Sequence, residues 1–431
     1  MSFERGTRAE PAFRLKAALA SRRALSSLLV LALLSLCEKE LRAQVVDSKV
    51  RATLFHEGSP TSSLTVLTPS VELGVHASEA IEIHAGYEAD IVTGASESIK
   101  GGELTNVDIV SSATSFSDIR HVGSGGFTIT RESTELSATY AYGTEHDYRS
   151  QSISATASTE FLQRNTELAL SYARGFDQVC TSDYLVSTPP TARRALDSSK
   201  GCFTKADDRA TRDVKLDTLQ AAWTQNWTQV FNTQLVLTGS LQNGFLGNPY
   251  RAVIIAAAGD QALEHHPENR ARGAVALRGK YFFRGLGATL GASVRIYRDT
   301  WDIVGQTYEL EGEKYMAPWL RVMLHGRFYT QTGALFWSDD YTGGEPASGP
   351  RGQYWTGDRE LSPMRSYLVG GRLLATQEGR PGNRLAGMLL KLQSSVSLDF
   401  VKTDLRDFTW GGVDPDDTIA VILSLGIGGQ F

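Results

Sequence analysis

From Thr418 to Phe431 the side chains alternate in character: Ile419, Val421, Leu423, Leu425, Ile427 and Phe431 fall on one side, and Ala420, Ser424, Gly426, Gly428 and Gln430 on the other. Successive residues of a strand face opposite sides of a sheet, so this segment predicts a strand with one apolar face and one small or polar face. The same period recurs along the chain. Ile81, Ile83, Ala85, Tyr87, Ala89 and Ile91 alternate with Glu82, His84, Gly86, Glu88 and Asp90. Further stripes run from Leu136 to Tyr142, Ile153 to Phe161, Leu168 to Tyr172, Leu235 to Leu241, Val275 to Tyr281, Ala288 to Ile296, Leu320 to Phe328 and Met388 to Phe400.

The connections alternate too. Short ones fall around Ala77 to Glu79, Arg131 to Ser133, Leu162 to Asn165, Thr228 to Asn232, Arg284 to Gly285 and Gln377 to Asn383; long ones cover 94 to 118, 177 to 211, 247 to 269 and 338 to 362. Short turns on one rim and long loops on the other are the plan of outer-membrane β-barrels. Counting back from a last strand that ends in the periplasm puts all the short turns on the periplasmic side. It requires a first strand near Lys49 to Glu57 and gives about sixteen strands; the first strand and the one near Ile303 to Lys314 carry the weakest pattern, and without them the count is fourteen. The fold class expected is all-β, a closed antiparallel transmembrane barrel over residues 44–431, with Phe431 as a terminal aromatic assembly signal.

The N-terminus fits export. Arg5, Arg8, Arg14, Lys16, Arg22 and Arg23 precede an apolar run from Ala24 to Leu36, too short to span a bilayer and of the length of a signal-peptide core. Residues 1–43 are therefore expected to be a signal peptide cleaved after Ala43, with lipidation at Cys37 as the alternative. Beyond it no apolar stretch reaches the roughly 18 residues of a membrane helix. The formal charge of −5 leaves no basic footprint for nucleic acid. The partners expected are outer-membrane lipid, the barrel assembly machinery and periplasmic or surface proteins; no cofactor and no metal are expected.

Alternation also sorts the polar residues. Glu82, His84, Glu88 and Asp90 would line the inner face of the third strand, and Arg272, Arg278, Arg295, Tyr297, Arg321, His325, Arg327 and Tyr329 the inner faces of the tenth, eleventh and thirteenth. The third and eleventh of sixteen strands stand opposite, so acidic and basic ladders would face each other across the lumen, as in charge-selective channels. Pairing of these groups into a plugging network is the competing expectation. Cys180 and Cys202 fall in the longest outer loop, where an oxidising compartment permits a disulfide.

Several segments resemble the outer-membrane family DUF3570: DIVTGAS at Asp90 to Ser96, VDIVSSAT at Val107 to Thr114, FSDIRH at Phe116 to His121, EHDYRS at Glu145 to Ser150, NPYR at Asn248 to Arg251, PENRAR at Pro267 to Arg272, YRDTW at Tyr297 to Trp301 and FYTQ at Phe328 to Gln331. The resemblance implies a barrel and no established activity; family members encoded beside thioredoxin-like and flavin-transfer proteins imply a redox-linked envelope setting. A porin-like channel for small polar or charged solutes is the function expected. The alternatives are a hydrolase built on an acid and histidine cluster at Glu82, His84 and Glu88, and a non-conducting structural or docking barrel. None of the eight histidines lies in a nucleophile motif. Glu264, His265, His266 and Glu268 form a short polar run of metal-ligating residue types.

Overall fold

In the computed structural model the described residues run from Val45 to Phe431, except 59–62, 96–108, 112–115, 186, 197–201, 204–209, 255–260, 339–340, 342–352, 380–384, 386–387 and 406–416. The expected signal peptide, 1–43, lies outside them. The strands are β1 (Val46–Gly58), β2 (Ser63–Ser78), β3 (Ile81–Ala95), β4 (Ile109–Ser111), β5 (Phe116–Arg131), β6 (Thr134–Thr144), β7 (Tyr148–Phe161), β8 (Thr166–Thr181), β9 (Ala210–Thr228) and β10 (Phe231–Gly244). They continue with β11 (Arg251–Ile254), β12 (Gln261–Leu263), β13 (Asn269–Phe283), β14 (Ala288–Asp299), β15 (Val304–Ala317), β16 (Leu320–Gln331), β17 (Met364–Glu378), β18 (Lys391–Leu405) and β19 (Thr418–Gln430). All but β4, β11 and β12 form one closed antiparallel barrel of sixteen strands, and those three form a small separate sheet. Both weakly patterned strands are present, as β1 and β15, so the count is sixteen and not fourteen.

Closure is made by the two ends of the described chain. β1 pairs with β19 from Asp47 opposite Gln430 to Gly58 opposite Ile419, and the Phe431 amide donates to the Val46 carbonyl at 2.9 Å. In hydrocarbon every backbone N–H and C=O needs an internal partner, so a closed sheet can cross a membrane where an open one cannot. The apolar stripe of each strand faces outward: Val369 is 66% exposed, Leu324 65% and Ile83 54%. A belt of this kind would aggregate in water and is matched by lipid. Aromatic residues gather towards its margins. Trp223 meets Trp227 and Phe231 meets Tyr281 beside the short turns, and Tyr308, Phe328 and Tyr367 stack in sequence nearer the other rim. Such girdles mark the bilayer interfaces. The chain is a bacterial outer-membrane barrel.

The short connections 79–80, 132–133, 162–165, 229–230, 284–287 and 318–319 share a rim with Val46 and Phe431, as does 379–390, which is longer than the turn expected at Gln377 to Asn383; the long connections β3–β5, β8–β9, β10–β13, β16–β17 and β18–β19 share the opposite one. By the short-turn rule the first rim is periplasmic.

Two expected outcomes test this architecture. Leu277→Arg, a charge on the lipid face of β13, should cost about 2–4 kcal/mol, read as a loss of barrel resistance to urea in detergent. Deleting Phe431 should lower outer-membrane levels while leaving export intact; unchanged levels would remove its role as an assembly signal.

Candidate functional site

The inner wall is built by the small and polar halves of the strands. Register fixes its sides: Arg278 pairs with Ser293, Arg295 with Thr307, and Glu309 with Arg327, each pair on one face. Arg272 and Arg278 lie on the inner side of β13, Arg295 and Tyr297 on that of β14, and Arg321, His325, Arg327 and Tyr329 on that of β16. Glu82, His84, Glu88 and Asp90 share the inner side of β3. β3 and β14 are half a circuit apart in the strand order.

The basic wall is not uniform. β15 runs between β14 and β16 and turns Glu309, Glu311 and Glu313 into the lumen, a ladder the sequence reading did not include. Lys280 Nζ lies 2.6 Å from Glu311, Arg321 lies 3.1 Å from Glu313, and Ser293 Oγ donates to Glu309 at 3.1 Å. Arg272, Arg278, Arg295 and Arg327 form no ion pair with a carboxylate among the described residues. His325 pairs with Asp399 of β18 at 3.1 Å. On the acidic side Asp90 accepts from Thr68 at 2.7 Å. His84 Nε2 reaches Thr139 Oγ1 of β6 at 3.0 Å. It passes over Gly126, where an added Cβ would lie 2.5 Å from that nitrogen. His84 is hydrogen-bonded to no carboxylate among the described residues, so Glu82, His84 and Glu88 do not form an acid and base pair. The middle of the arc from β7 to β10 carries neutral hydrogen-bonding pairs, with Thr156 to Ser171 at 2.9 Å, Gln234 to Thr224 at 3.1 Å and Thr218 to Ser240 at 3.2 Å.

Above this wall the outer connections pack together. β4, from the connection after β3, pairs with β11, from the connection after β10. Six barrel strands separate those two connections, so the small sheet reaches across the mouth. Gly244 turns the chain into it at a φ of +121°, where a Cβ would fall 2.0 Å from the Asp213 carbonyl oxygen. The apolar cores among the described residues are both here: Val253, Ala262, Tyr341 and Trp355 form one, and Trp301, Ile303, Ala334, Phe336 and Leu361 the other, with the lumen-facing Tyr297 packed against it. The connection 332–363 is tied to the barrel from within. Gln331 Nε2 donates to Ser362 O at 2.7 Å and Glu360 O at 2.9 Å, and Arg359 reaches Glu57 of β1 at 2.7 Å. Tyr250 donates its hydroxyl to Asp147 of the β6–β7 turn, and Arg251 pairs with Asp358. Arg251 is held charged above its ordinary range: burial opposes this, but Asp358 and Glu264 outweigh it.

The firmest node is Asp299, whose side chain is fully buried. Its Oδ2 accepts Arg270 Nη2 at 2.5 Å, Nε at 2.8 Å and the Tyr297 hydroxyl at 2.7 Å, while Oδ1 accepts the amides of Trp301 and Ile303, both at 3.0 Å. The Arg270 guanidinium also stacks 4.1 Å from the Trp301 ring centroid. A buried pair this fully hydrogen-bonded retains its charge separation without orphaned polar groups.

The polar run Glu264 to Glu268 does not converge on one point. His265 Nδ1 lies 2.6 Å from the Gln353 carbonyl, with its ring 5.2 Å from both Tyr354 and Trp355, whereas His266 turns the other way to Trp301 and Phe336. Neighbours in an extended segment face opposite sides, so the two imidazoles cannot share an ion. Glu145, His146 and Asp147 bring potential ligand atoms within 4.8 Å of each other, but Asp147 is already engaged by Tyr250. Cys180 and Cys202 are joined in a disulfide, with their Cα atoms 5.7 Å apart, at the outer end of β8.

A family model described as "Protein of unknown function (DUF3570)" matches residues 23–373. The chain belongs to the DUF3570 family. The matched span ends within β17, so β18 and β19, which complete the closure, lie beyond it. No curated protein matches. Among solved structures, a bacterial polysaccharide outer membrane secretin has a TM-score of 0.46 at 9% identity, covering 90% of this chain and 98% of the other. Pseudomonas aeruginosa OpdQ has a TM-score of 0.41 at 8% identity, covering 91% and 99%. The outer membrane protein opdK of the same organism has 0.40 at 10%, covering 91% and 100%.

The segments that carry the DUF3570 resemblance meet at the mouth. EHDYRS supplies Asp147 to the Tyr250 of NPYR; PENRAR supplies Arg270 to the Asp299 of YRDTW; FYTQ supplies Gln331 to connection 332–363. The mouth scaffold therefore draws on the segments that carry the resemblance.

Replacing Asp299 with Asn should leave the Arg270 charge uncompensated and cost the mouth about 3 kcal/mol, seen as faster proteolysis of 332–363 with the barrel still folded. Changing Cys180 and Cys202 to Ser should remove roughly 3 kcal/mol of loop restraint, read as exchange of 182–209 amides, with barrel melting little altered.

Proposed function

We propose that this DUF3570 chain is a porin-like channel that passes small polar or charged solutes across the outer membrane and sorts them by charge. The observation that carries the reading is the group Arg278, Arg295 and Arg327, without carboxylate partners among the described residues on one inner wall, while Glu82, Glu88 and Asp90 line the wall across from it. Guanidiniums and carboxylates that remain wet keep their field; groups meant only to fill a barrel would pair. The Glu309, Glu311 and Glu313 ladder narrows the contrast by neutralising Lys280 and Arg321, and leaves an excess of positive charge on that side. Membrane lipid surrounds the belt, and delivery by the barrel assembly machinery is part of the proposal.

Purified protein in a planar bilayer should conduct. Changing Arg295 and Arg327 to Glu should shift ion selectivity towards cations while folding stays nearly unaffected; unaltered selectivity in a conducting variant would remove the field. The loop assembly across the mouth favours one second reading, a non-conducting docking barrel of a redox-linked envelope system. That reading is preferred if the parent protein does not conduct and a periplasmic or surface protein co-purifies. A hydrolase would instead show turnover lost on changing His84 or Asp90.

A further inference from the structure

We infer that the inner wall carries an oxyanion-binding site at the seam of the barrel, in which Arg51 and Arg372 take a doubly charged tetrahedral group such as phosphate, free or as the end of a larger solute. The site deepens the channel reading and rests on it for transport; occupancy requires only that the lumen admit ions from the periplasmic side.

Register puts the two arginines on one wall. Arg51 of β1 lies opposite Ser70 of β2, and Ser70 opposite the lumen-facing Glu88. In the other direction Arg51 lies opposite Gly426 of β19 and Gly426 opposite Ser395 of β18. Arg372 of β17 lies opposite Ser397, the next inward residue of β18. The two arginines therefore stand three strands apart, about 14 Å along the sheet. β1 starts and β19 ends at the periplasmic rim, so the site falls in the periplasmic half of the lumen.

The strip between them is low. Gly426 and Gly428 present no side chain, and an added Cβ at Gly426 would lie 2.7 Å from Ser395 Oγ, so that hydroxyl already lies across the glycine. The result is a cleft of about 70 Å³, walled by Lys49, Arg51, Arg372 and Gln393 above this floor. It is sized for a compact oxyanion and leaves the body of a larger solute in the lumen.

Charge decides which group belongs there. The cleft is lined by three cations and one carboxylate, Glu72, which lies 3.7 Å from Lys49 Nζ. Arg51 and Arg372 are exposed to the lumen and form no ion pair among the described residues. Two like charges sharing a cleft repel each other, and water weakens that repulsion without cancelling it; an anion between them removes it. Guanidiniums offer forked N–H donors that match pairs of phosphate oxygens, and the Ser395 hydroxyl and Gln393 amide add donors from below. A dianion matches the two uncompensated charges where a carboxylate matches one. Another lumen cleft shows the contrast: Arg278 and Lys280 share it with Glu309 and Glu311, so it has no excess of positive charge.

Equilibrium dialysis of radiolabelled inorganic phosphate against the full-length protein in detergent, at fixed ionic strength, should show one saturable site that acetate does not displace. Arg51→Gln and Arg372→Gln should each weaken binding about tenfold or more, the worth of a charge-assisted hydrogen bond. Arg131→Gln removes the same charge at the turn end of β5 and should leave binding unchanged. Because β1 closes the barrel, the parent protein supplies a second test that needs no variant. Phosphate should slow phenylglyoxal modification of Arg51 and Arg372, mapped by peptide mass spectrometry, and leave the rate at Arg131 unaltered. Displacement of the label by glycerol 3-phosphate assigns the site to end groups of larger solutes, and failure to displace assigns it to the free ion. Absence of saturable binding, displacement by acetate, equal weakening by Arg131→Gln, or protection spread evenly over the three arginines would overturn the site. Conductance recorded in parallel separates the two proposals: binding and protection in a protein that never conducts retain the site and remove the channel, and a conducting protein that shows neither retains the channel and removes the site.

Discussion

Backbone hydrogen bonding in a solvent that offers none is the constraint from which the rest follows. A chain with no apolar helix long enough to span a bilayer can cross it only as a sheet without edges, and β1 against β19 removes the last edge. That single pairing decides what each residue sees. Because the side-chain period is two, a slip of one residue anywhere in the circuit would turn an apolar stripe into the lumen and a polar one into lipid. The outward belt and the inward charges are thus two consequences of one register, and neither can be changed alone.

Closure has a second consequence. A barrel with lipid outside and a polar wall inside has no place for a hydrophobic core, and the described apolar clusters lie instead in the outer connections. There the energetics resemble those of a soluble domain: Trp301, Phe336 and Trp355 exclude water, so polar groups among them must be matched. Asp299 is matched five times over, Arg251 by Asp358, and the Trp355 indole by the Leu263 carbonyl at 3.0 Å.

Legibility in the sequence follows the same division. Strands were readable wherever lipid and lumen impose opposite demands on alternate residues, as at Ile81 to Ile91 or Ile419 to Phe431, and the order of short turns and long loops fixed sidedness. β15 was hard to read because its outward set, Gln306, Tyr308, Leu310, Gly312 and Lys314, is only partly apolar, and with the strand indistinct its glutamate ladder went unnoticed. The mouth was least legible. Its contacts join residues far apart in sequence, such as Tyr250 with Asp147 and His265 with Trp355, and no local period encodes them. One signal was present all the same: the short motifs EHDYRS, NPYR, PENRAR and YRDTW interrupt the alternation with charged and aromatic residues, at strand ends where a simple barrel needs none.

Those interruptions connect the wall to the mouth. Asp299 is the last inward residue of β14 and at the same time the acceptor for the first amides of the following turn, while Tyr297, two residues earlier, lines the lumen and packs against the upper core. Gln331 does the same for β16 and connection 332–363. The outer loops are consequently seated on the inner wall's own side chains instead of merely being tethered at strand ends. A rearrangement of the assembly that contains His266 must therefore move or release Trp301 and Phe336, which pack on that ring, and Trp301 is held by Asp299 and Arg270. Arg272 and Arg295 lie on the inner wall beside this node, so groups that would meet a solute share one hydrogen-bonded frame with the outer loops.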